Sequence, residues 1–292
     1  MDAMTVQAEE FSYRTVASGS LRRARGLRAA QSVTVSVVIP TRNEAANLPH
    51  VLAQMTGFDE VIVVDGGSTD GTKEVAKSYC PGVVVIEQTG TGKGNALACG
   101  FRAARGDVVV MIDADMSMEP SEIPRLVNAL ARGPHTYVKG SRLMANGGSE
   151  DFTRTRRTGN RILVGMVNLL YGTRFTDLCY GFIGFWRRDL ELLGFGSTAD
   201  GTERATRRLR SMGFEVETLL NVRAVRAGLD VIEVPSFERA RLYGQSNLKV
   251  VRDGLRVLRT IAVERLRRSQ DRHPETRGFL PVPAIGAAAG EG

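Results

Sequence analysis

Residues 107–115 read Asp107-Val-Val-Val-Met-Ile-Asp-Ala-Asp115, an apolar run that ends in two carboxylates one residue apart. A continuous run of this kind belongs to a strand buried on both faces, as in an α/β sheet covered by helices. Acids at its carboxyl end, Asp113 and Asp115, then stand at the mouth of the sheet, where open α/β folds bind ligands. Hard carboxylate oxygens in that place suit a Mg²⁺ or Mn²⁺ ion that keeps positions open for phosphate. An Asp-x-Asp pair carries little by itself; its position at a strand end is what points to chemistry.

Working outward, strands and helices alternate. Val33–Pro40 reads as a strand closed by proline. A helix over 45–55, a strand Val61–Val64, a helix over 70–80, a strand Val83–Ile86 and a helix over 94–104 lead to the run at Val108–Ile112. Strict alternation predicts right-handed crossovers and a mostly parallel sheet flanked by helices. Beyond Pro120 the pattern loosens: helices over 121–131 and 156–171, a strand Tyr137–Gly140, a loop carrying Asp177 and a strand Phe182–Trp186. Helices over 202–212 and 216–227, a strand Val231–Val234 and a final amphipathic helix Leu248–Leu266 follow. Residues 1–32 are polar and aperiodic, and 269–292 are rich in Pro, Gly and Ala; both are expected to be disordered. The domain then spans 33–268, with a first half to 117 and a second from 118.

The chain has 292 residues, 42% hydrophobic and 24% charged, as for a globular enzyme. No apolar stretch reaches the ~20 residues of a membrane span, and the N-terminus has no signal-peptide core, so a cytoplasmic location is expected. Cys80, Cys99 and Cys179 are odd in number and lack CxxC spacing, which favours reduced core thiols. The net charge of +7 is concentrated: residues 239–268 hold nine basic and two acidic side chains. That density points to an anionic surface or a phosphate partner. A nucleic-acid reading would want interleaved aromatics, and these are only 6%.

Three strand ends meet at one edge of such a sheet: Pro40-Thr-Arg-Asn-Glu44, Asp65-Gly-Gly-Ser-Thr-Asp-Gly71 and Asp113-Ala-Asp115. Taken singly, Asn43 or Glu44 is also a plausible helix cap and Asp70-Gly71 a turn. Together they fit a nucleotide diphosphate-sugar, with Asp65 accepting from the base or ribose, Glu44 from a ribose hydroxyl, and Asp113 and Asp115 holding the metal. Gly90-Thr-Gly-Lys-Gly94 fails as a P-loop because Gly94 stands where a Ser or Thr would bind Mg²⁺. A glycine-lysine turn opening a helix still suits ribose or phosphate.

Val35–Glu44, Val64–Thr72, Gly92-Lys-Gly94 and the Asp113-Ala-Asp115 strand end resemble family 2 glycosyltransferases of the GT-A fold. Gly140-Ser-Arg142, Thr176–Phe182 with Arg187, Phe214–Glu217 and Arg241–Asn247 resemble the polyprenyl-phosphate, dolichol-phosphate mannosyltransferase-like branch. The resemblance implies a single GT-A catalytic domain. By position, Pro40, Asn43, Glu44, Asp65 and Lys93 contact the nucleoside, Asp113 and Asp115 bind metal, and Arg241 and Ser246 lie near donor or acceptor phosphate. Two departures stand out: the family usually has two acids where this chain has Asp65-Gly66, and Ser117 replaces a residue that is often glutamine.

On the acceptor side Arg142, Arg154, Arg156, Arg157 and Arg161 flank a loop and helix start, and arginine pairs bidentately with phosphate. Arg142, Arg157 and Arg187 are the acceptor candidates. In the last helix Leu248, Val251, Leu255 and Leu258 form an apolar stripe expected to pack on the domain. Arg252, Arg256 and Arg259, continued by Arg265, Arg267 and Arg268, form a basic stripe suited to an anionic membrane face. The resulting expectation is a metal-dependent, inverting transferase moving sugar from a GDP- or UDP-sugar to a polyprenyl phosphate. A hydroxyl acceptor would need a general base, with Glu217 the first candidate and Asp177 the second. A transferase acting on a soluble or polysaccharide hydroxyl and a sugar nucleotidyltransferase are the alternatives. Sugar, base, acceptor identity and oligomeric state are left open.

Overall fold

A computed structural model describes residues 10–17, 21–25, 33–195, 212–244 and 250–266. In chain order the strands and helices are β1 Glu10–Thr15, β2 Leu21–Arg25, β3 Val35–Thr41, α1 Leu48–Leu52, β4 Glu60–Asp65, α2 Thr72–Tyr79, β5 Val84–Glu87, α3 Lys93–Ala103 and β6 Val108–Met111. There follow α4 Ile123–Leu130, β7 Thr136–Ser141, β8 Gly148–Ser149, α5 Arg154–Tyr171, β9 Ile183–Trp186, α6 Glu215–Arg226, β10 Asp230–Pro235, β11 Phe237–Glu238 and α7 Val250–Leu266. The expected helix over 202–212 lies almost wholly outside the described residues.

Among the described residues nine strands form one sheet in the order β2-β1-β10-β7-β9-β6-β3-β4-β5. The half built from β6, β3, β4 and β5 is parallel, as the alternation of strand and helix predicts. β9 breaks the pattern: it runs antiparallel between β6 and β7. A short parallel pair, β8 and β11, stands apart from the main sheet.

The quoted run explains why the sheet is a middle layer. Val109 and Met111 of β6 enter the core on one face, packed by α3, α5, α6 and α7. Val108 and Val110 enter the opposite core, packed by α1 and α4. With side chains alternating across the pleat and both faces covered, every residue of β6 must be apolar. α3 lies close enough on the sheet that a Cβ at Gly100 would meet Val38 Cγ1 at 2.4 Å and Val64 Cγ2 at 2.9 Å.

The structure corrects the reading that regular structure starts at Val33. β1 and β2 form a hairpin that extends the sheet at β10, pairing Arg14 with Glu233 and Thr15 with Ile232. Tyr13 and Val16 are its buried anchors, and the Arg132 guanidinium lies 4.0 Å from the centre of the Tyr13 ring. Phe11 and Tyr13 alternate with polar residues over β1, a short strand pattern that the sequence reading passed over.

Candidate active site

β3, β4 and β6 deliver their carboxyl ends to a single cleft of about 640 Å³, and residues from all three loops line it. Pro40 and Glu44 come from the β3 side, Gly66 from the end of β4, and Asp113 and Asp115 follow β6. Parallel neighbours fix this convergence, because each strand runs towards the same edge.

Asp65 closes β4 and is buried. Its Oδ2 accepts from the Gly67 and Ser68 N–H groups, both at 3.0 Å, while its Oδ1 is buried with no partner among the described residues. An orphaned carboxylate oxygen is costly, so a ligand donor is the natural complement. Asn43 adopts φ 57° and acts as a brace. Its N–H donates to Ser68 Oγ at 2.9 Å and its Oδ1 accepts from the Thr69 N–H at 2.9 Å. The loop after β3 thereby fixes the loop after β4, and the Asn43 side chain is committed to that job.

Each cleft carboxylate meets a cation. Lys93, the first residue of α3, places its ammonium 2.6 Å from Asp113 Oδ1 and 2.8 Å from Glu217 Oε1. Burial alone would depress the lysine, but these two acids hold it above its ordinary value. Burial pushes the Glu217 carboxyl up, and the Lys93 ammonium opposes that shift. A Cβ at Gly181 would approach Glu217 Oε1 to 2.7 Å, so glycine there makes room for the buried acid. Lys93 was expected to meet the nucleoside; it lines the cleft, but as a bridge between two acids.

Arg241 is the second cation. It reaches Glu44 Oε1 at 2.8 Å and Asp115 Oδ2 at 2.9 Å. Its backbone is laid across the site: the Arg239 N–H donates to Ser117 O at 2.9 Å and the Leu242 N–H to Asp115 O at 3.2 Å. The Tyr243 N–H donates to Asn47 Oδ1 at 2.9 Å. Ser117 donates from both N–H and Oγ to Asp115 Oδ1, at 3.0 and 2.6 Å, and so orients that carboxylate. Ser246 lies outside the described residues.

Among the described residues no group of three or more His, Cys, Asp or Glu could form an all-protein cage. Asp113 and Asp115 are the cleft carboxylates that could hold a divalent ion with phosphate and water as further ligands, once Lys93 and Arg241 give up the oxygens they now occupy.

The acceptor candidates divide three ways. Arg142 lines the cleft but is buried and locked: Nε and Nη2 donate to Asp177 at 2.7 and 2.9 Å, and Nη1 donates to Glu238 at 3.0 Å. Its guanidinium also stacks over Phe152 and Tyr180. Burial works against the Asp177 charge, yet Arg142 brings this carboxyl below its ordinary value. That corrects Asp177 as a candidate base, because both its oxygens are taken up by a guanidinium. Arg157 is exposed on α5, and it is Arg156, one residue earlier, that lines the cleft. Arg187 is corrected outright: it follows β9, donates from its N–H to Asp107 O and from Nε to Gly106 O, and so sits at the opposite edge of the sheet. The antiparallel direction of β9 carries it there.

The sequence reading missed the support beneath Asp177. Lys139 is fully buried and donates to the Asp177 carbonyl at 2.6 Å, while Glu233 accepts from the Thr176 and Asp177 N–H groups. Lys139 and Glu233 face each other in register on β7 and β10. The available signal was one charge of each sign inside two otherwise apolar strand runs.

The fold and cleft define an α/β enzyme with an acidic site at the carboxyl edge of its sheet. The chain belongs to glycosyl transferase family 2, whose model matches residues 36–194, and it is a glycosyltransferase of the GT-A fold. It is 32% identical over 244 residues to glycosyltransferase AglJ of Haloferax volcanii, covering 82% of this chain and 73% of that one. It is also 32% identical over 225 residues to the dolichol-phosphate mannosyltransferase of Pyrococcus furiosus, covering 74% of this chain and 59% of that enzyme's length. Among solved structures, glucosyl-3-phosphoglycerate synthase from Mycobacterium tuberculosis in complex with Mg²⁺ and uridine diphosphate matches with a TM-score of 0.59. There the identity is 26%, over 80% of this chain and 79% of that one. Family membership removes the sugar nucleotidyltransferase alternative. Among the described residues no helix is long and apolar enough to cross a membrane.

Proposed function

We propose that this protein transfers a sugar from a nucleotide diphosphate-sugar, GDP- or UDP-linked, to the phosphate of a polyprenyl lipid at the cytoplasmic face of a membrane. The observation that carries the reading is the meeting of Asp113, Asp115 and Glu44 on one cleft wall, with the orphaned Asp65 oxygen at the end of the neighbouring strand. The likeness to a dolichol-phosphate mannosyltransferase supports the acceptor class.

On this reading Asp65 Oδ1 accepts from the base, and Glu44 accepts from the ribose once Arg241 releases it. Asp113 and Asp115 would hold a divalent cation, Mg²⁺ or Mn²⁺, whose positive charge would stabilise the departing diphosphate. A lipid phosphate oxygen attacks the anomeric carbon in line, the bond from that carbon to the diphosphate oxygen breaks, and nucleoside diphosphate leaves with the bonding pair. Such an attack inverts the anomeric centre. The phosphate nucleophile is already ionised near neutral pH, so no side chain need remove a proton. Glu217 then serves as the fixed counter-ion of Lys93, and Lys93 presents Asp113 to the cleft.

A hydroxyl acceptor is the second reading, favoured by the likeness to a synthase named for glucosyl-3-phosphoglycerate. It would require Glu217 to act as a base against the hold of the Lys93 ammonium 2.8 Å away. Incubation with labelled GDP- and UDP-sugars and a short-chain prenyl phosphate, with glycerate-type hydroxyl acceptors in parallel, separates the two. Product that carries the label on the prenyl phosphate, and none on the hydroxyl acceptors, is the expected result.

A further inference from the structure

We propose that the outward faces of α5 and α7 together dock on an anionic phospholipid leaflet and thereby set the cleft mouth against the membrane. The proposal deepens the lipid-phosphate reading and rests on it for its purpose, though not for its observations. α7 buries only part of the apolar stripe that its sequence advertises: Leu258 packs against the core, while Leu248 lies outside the described residues. The residues turned inward are Asp253, Val257, Thr260, Ile261 and Glu264. Val251 is 77% exposed, Leu255 61% and Leu266 82%. The neighbouring helix shows the same habit, with Ile162 61% and Leu169 84% exposed on α5.

The two helices are neighbours: the Tyr171 hydroxyl at the end of α5 donates to Ile261 O of α7 at 3.0 Å. Both start at the active-site cleft, where Asn160 of α5 and Asp253 of α7 line the wall. Apolar residues on the outer faces are interleaved with exposed Arg154, Arg157 and Arg161 on α5 and with Arg252, Arg259 and Arg265 on α7. Acids are missing from these faces. α5 contains none, and the two on α7 are turned inward, Asp253 towards Arg256 and Glu264 towards Arg226.

An apolar face ringed by arginines of one sign has one well-matched occupant. A second copy of the chain would cover the leucines but set arginine against arginine, which disfavours association. A leaflet takes both kinds of side chain, the leucines at the acyl boundary and the guanidiniums among the headgroup phosphates. Because α5 and α7 begin at the cleft, a docked protein presents its mouth to lipid headgroups, where a lipid-linked phosphate resides.

The test is co-sedimentation of the full chain with vesicles of phosphatidylcholine alone or mixed with phosphatidylglycerol. Binding is expected only to the anionic vesicles, and salt should weaken it. The triple variant Arg252→Gln, Arg259→Gln, Arg265→Gln should bind about 100-fold more weakly, from about fivefold for each arginine. Leu169→Ser with Leu255→Ser should also weaken binding while the circular dichroism spectrum stays unchanged. Neither variant should alter transfer to a short-chain prenyl phosphate in free solution. Wild type that ignores anionic vesicles at low salt overturns the docking face, even where soluble transfer is intact. A dimer abolished by Leu255→Ser, without vesicle binding, overturns it equally. Vesicle binding without any sugar transfer upholds the docking face and counts against the lipid-phosphate reading alone.

Discussion

On the proposed donor side of the cleft, Glu44, Asp113 and Asp115 stand at parallel strand ends and are held by two cations, Arg241 and Lys93, from distant parts of the chain. On the acceptor side Arg142 is sealed between Asp177, Glu238 and two aromatic rings, over a buried Lys139–Glu233 pair. On the proposed reading, the donor acids are neutralised by partners that a metal and a diphosphate would replace. The Arg142, Asp177 and Glu238 charges are neutralised by each other and are not free to exchange. Side-chain charge in a cleft is thus not one kind of thing: part of it waits for a ligand, and part of it holds a loop.

The sharpest break in this comparison comes from removing one partner on the acceptor side. Arg142→Met leaves the Asp177 carboxylate buried without its counter-ion and should cost about 3–5 kcal/mol of stability. Urea unfolding followed by circular dichroism measures it. The pH dependence has a definite sign. The folded-state value of Asp177 is depressed, so the pair stabilises fully above the unfolded carboxylate range, about pH 4, and that stability is lost as pH falls through the lower folded value. Asp177→Asn should flatten this acid limb.

On the donor side the expected loss is in turnover and not in stability. Asp115→Asn should reduce kcat by about 10²-fold or more, the scale on which one aligned electrostatic contact acts. Chelation of divalent ions should do the same to wild type. A variant that unfolds in step with its loss of activity would erase the distinction between the two sides. Glu217→Gln, which removes one of the two partners of Lys93 without removing the group that faces the diphosphate, should lower kcat less than tenfold. A loss of roughly 10²–10⁴-fold, the range of a general base, would move the assignment to a hydroxyl acceptor. Arg187→Gln is the smallest change. At the far edge of the sheet it should leave kcat/KM unaltered and lower stability by about 1 kcal/mol, the scale of the Nε–Gly106 hydrogen bond it loses.

The donor half was legible because parallel topology turns a strand end in sequence into a place in space. Asp65, Asp113 and Asp115 needed only the alternation of strand and helix to be brought to one edge. The acceptor half was not, for three physical reasons. β9 reverses direction inside the sheet, which sends Arg187 to the wrong edge although its neighbours in sequence lie near the site. Arg142 looks like a phosphate ligand in sequence, and only the fold reveals that Asp177 and Glu238 occupy its donors. In α7 the inward face is Asp253, Val257, Thr260, Ile261 and Glu264, so the buried stripe is offset from the apolar one and Val251 and Leu255 are left outside. Sequence periodicity locates a helix face by hydrophobicity, and here a buried acid, Glu264 paired with Arg226 of α6, shares the packed face with Val257 and Ile261.

The central claim is transfer of sugar to a lipid phosphate by a site whose donor carboxylates need a divalent cation. It is tested most directly by supplying labelled nucleotide-sugar and a short-chain prenyl phosphate to the purified chain and resolving the products. The expected result is one prenyl phosphosugar formed for each nucleoside diphosphate released, abolished by chelator, restored by Mg²⁺ or Mn²⁺, and reduced about 10²-fold or more in Asp115→Asn. Undiminished transfer in chelator, or label found only on a hydroxyl acceptor, would contradict it.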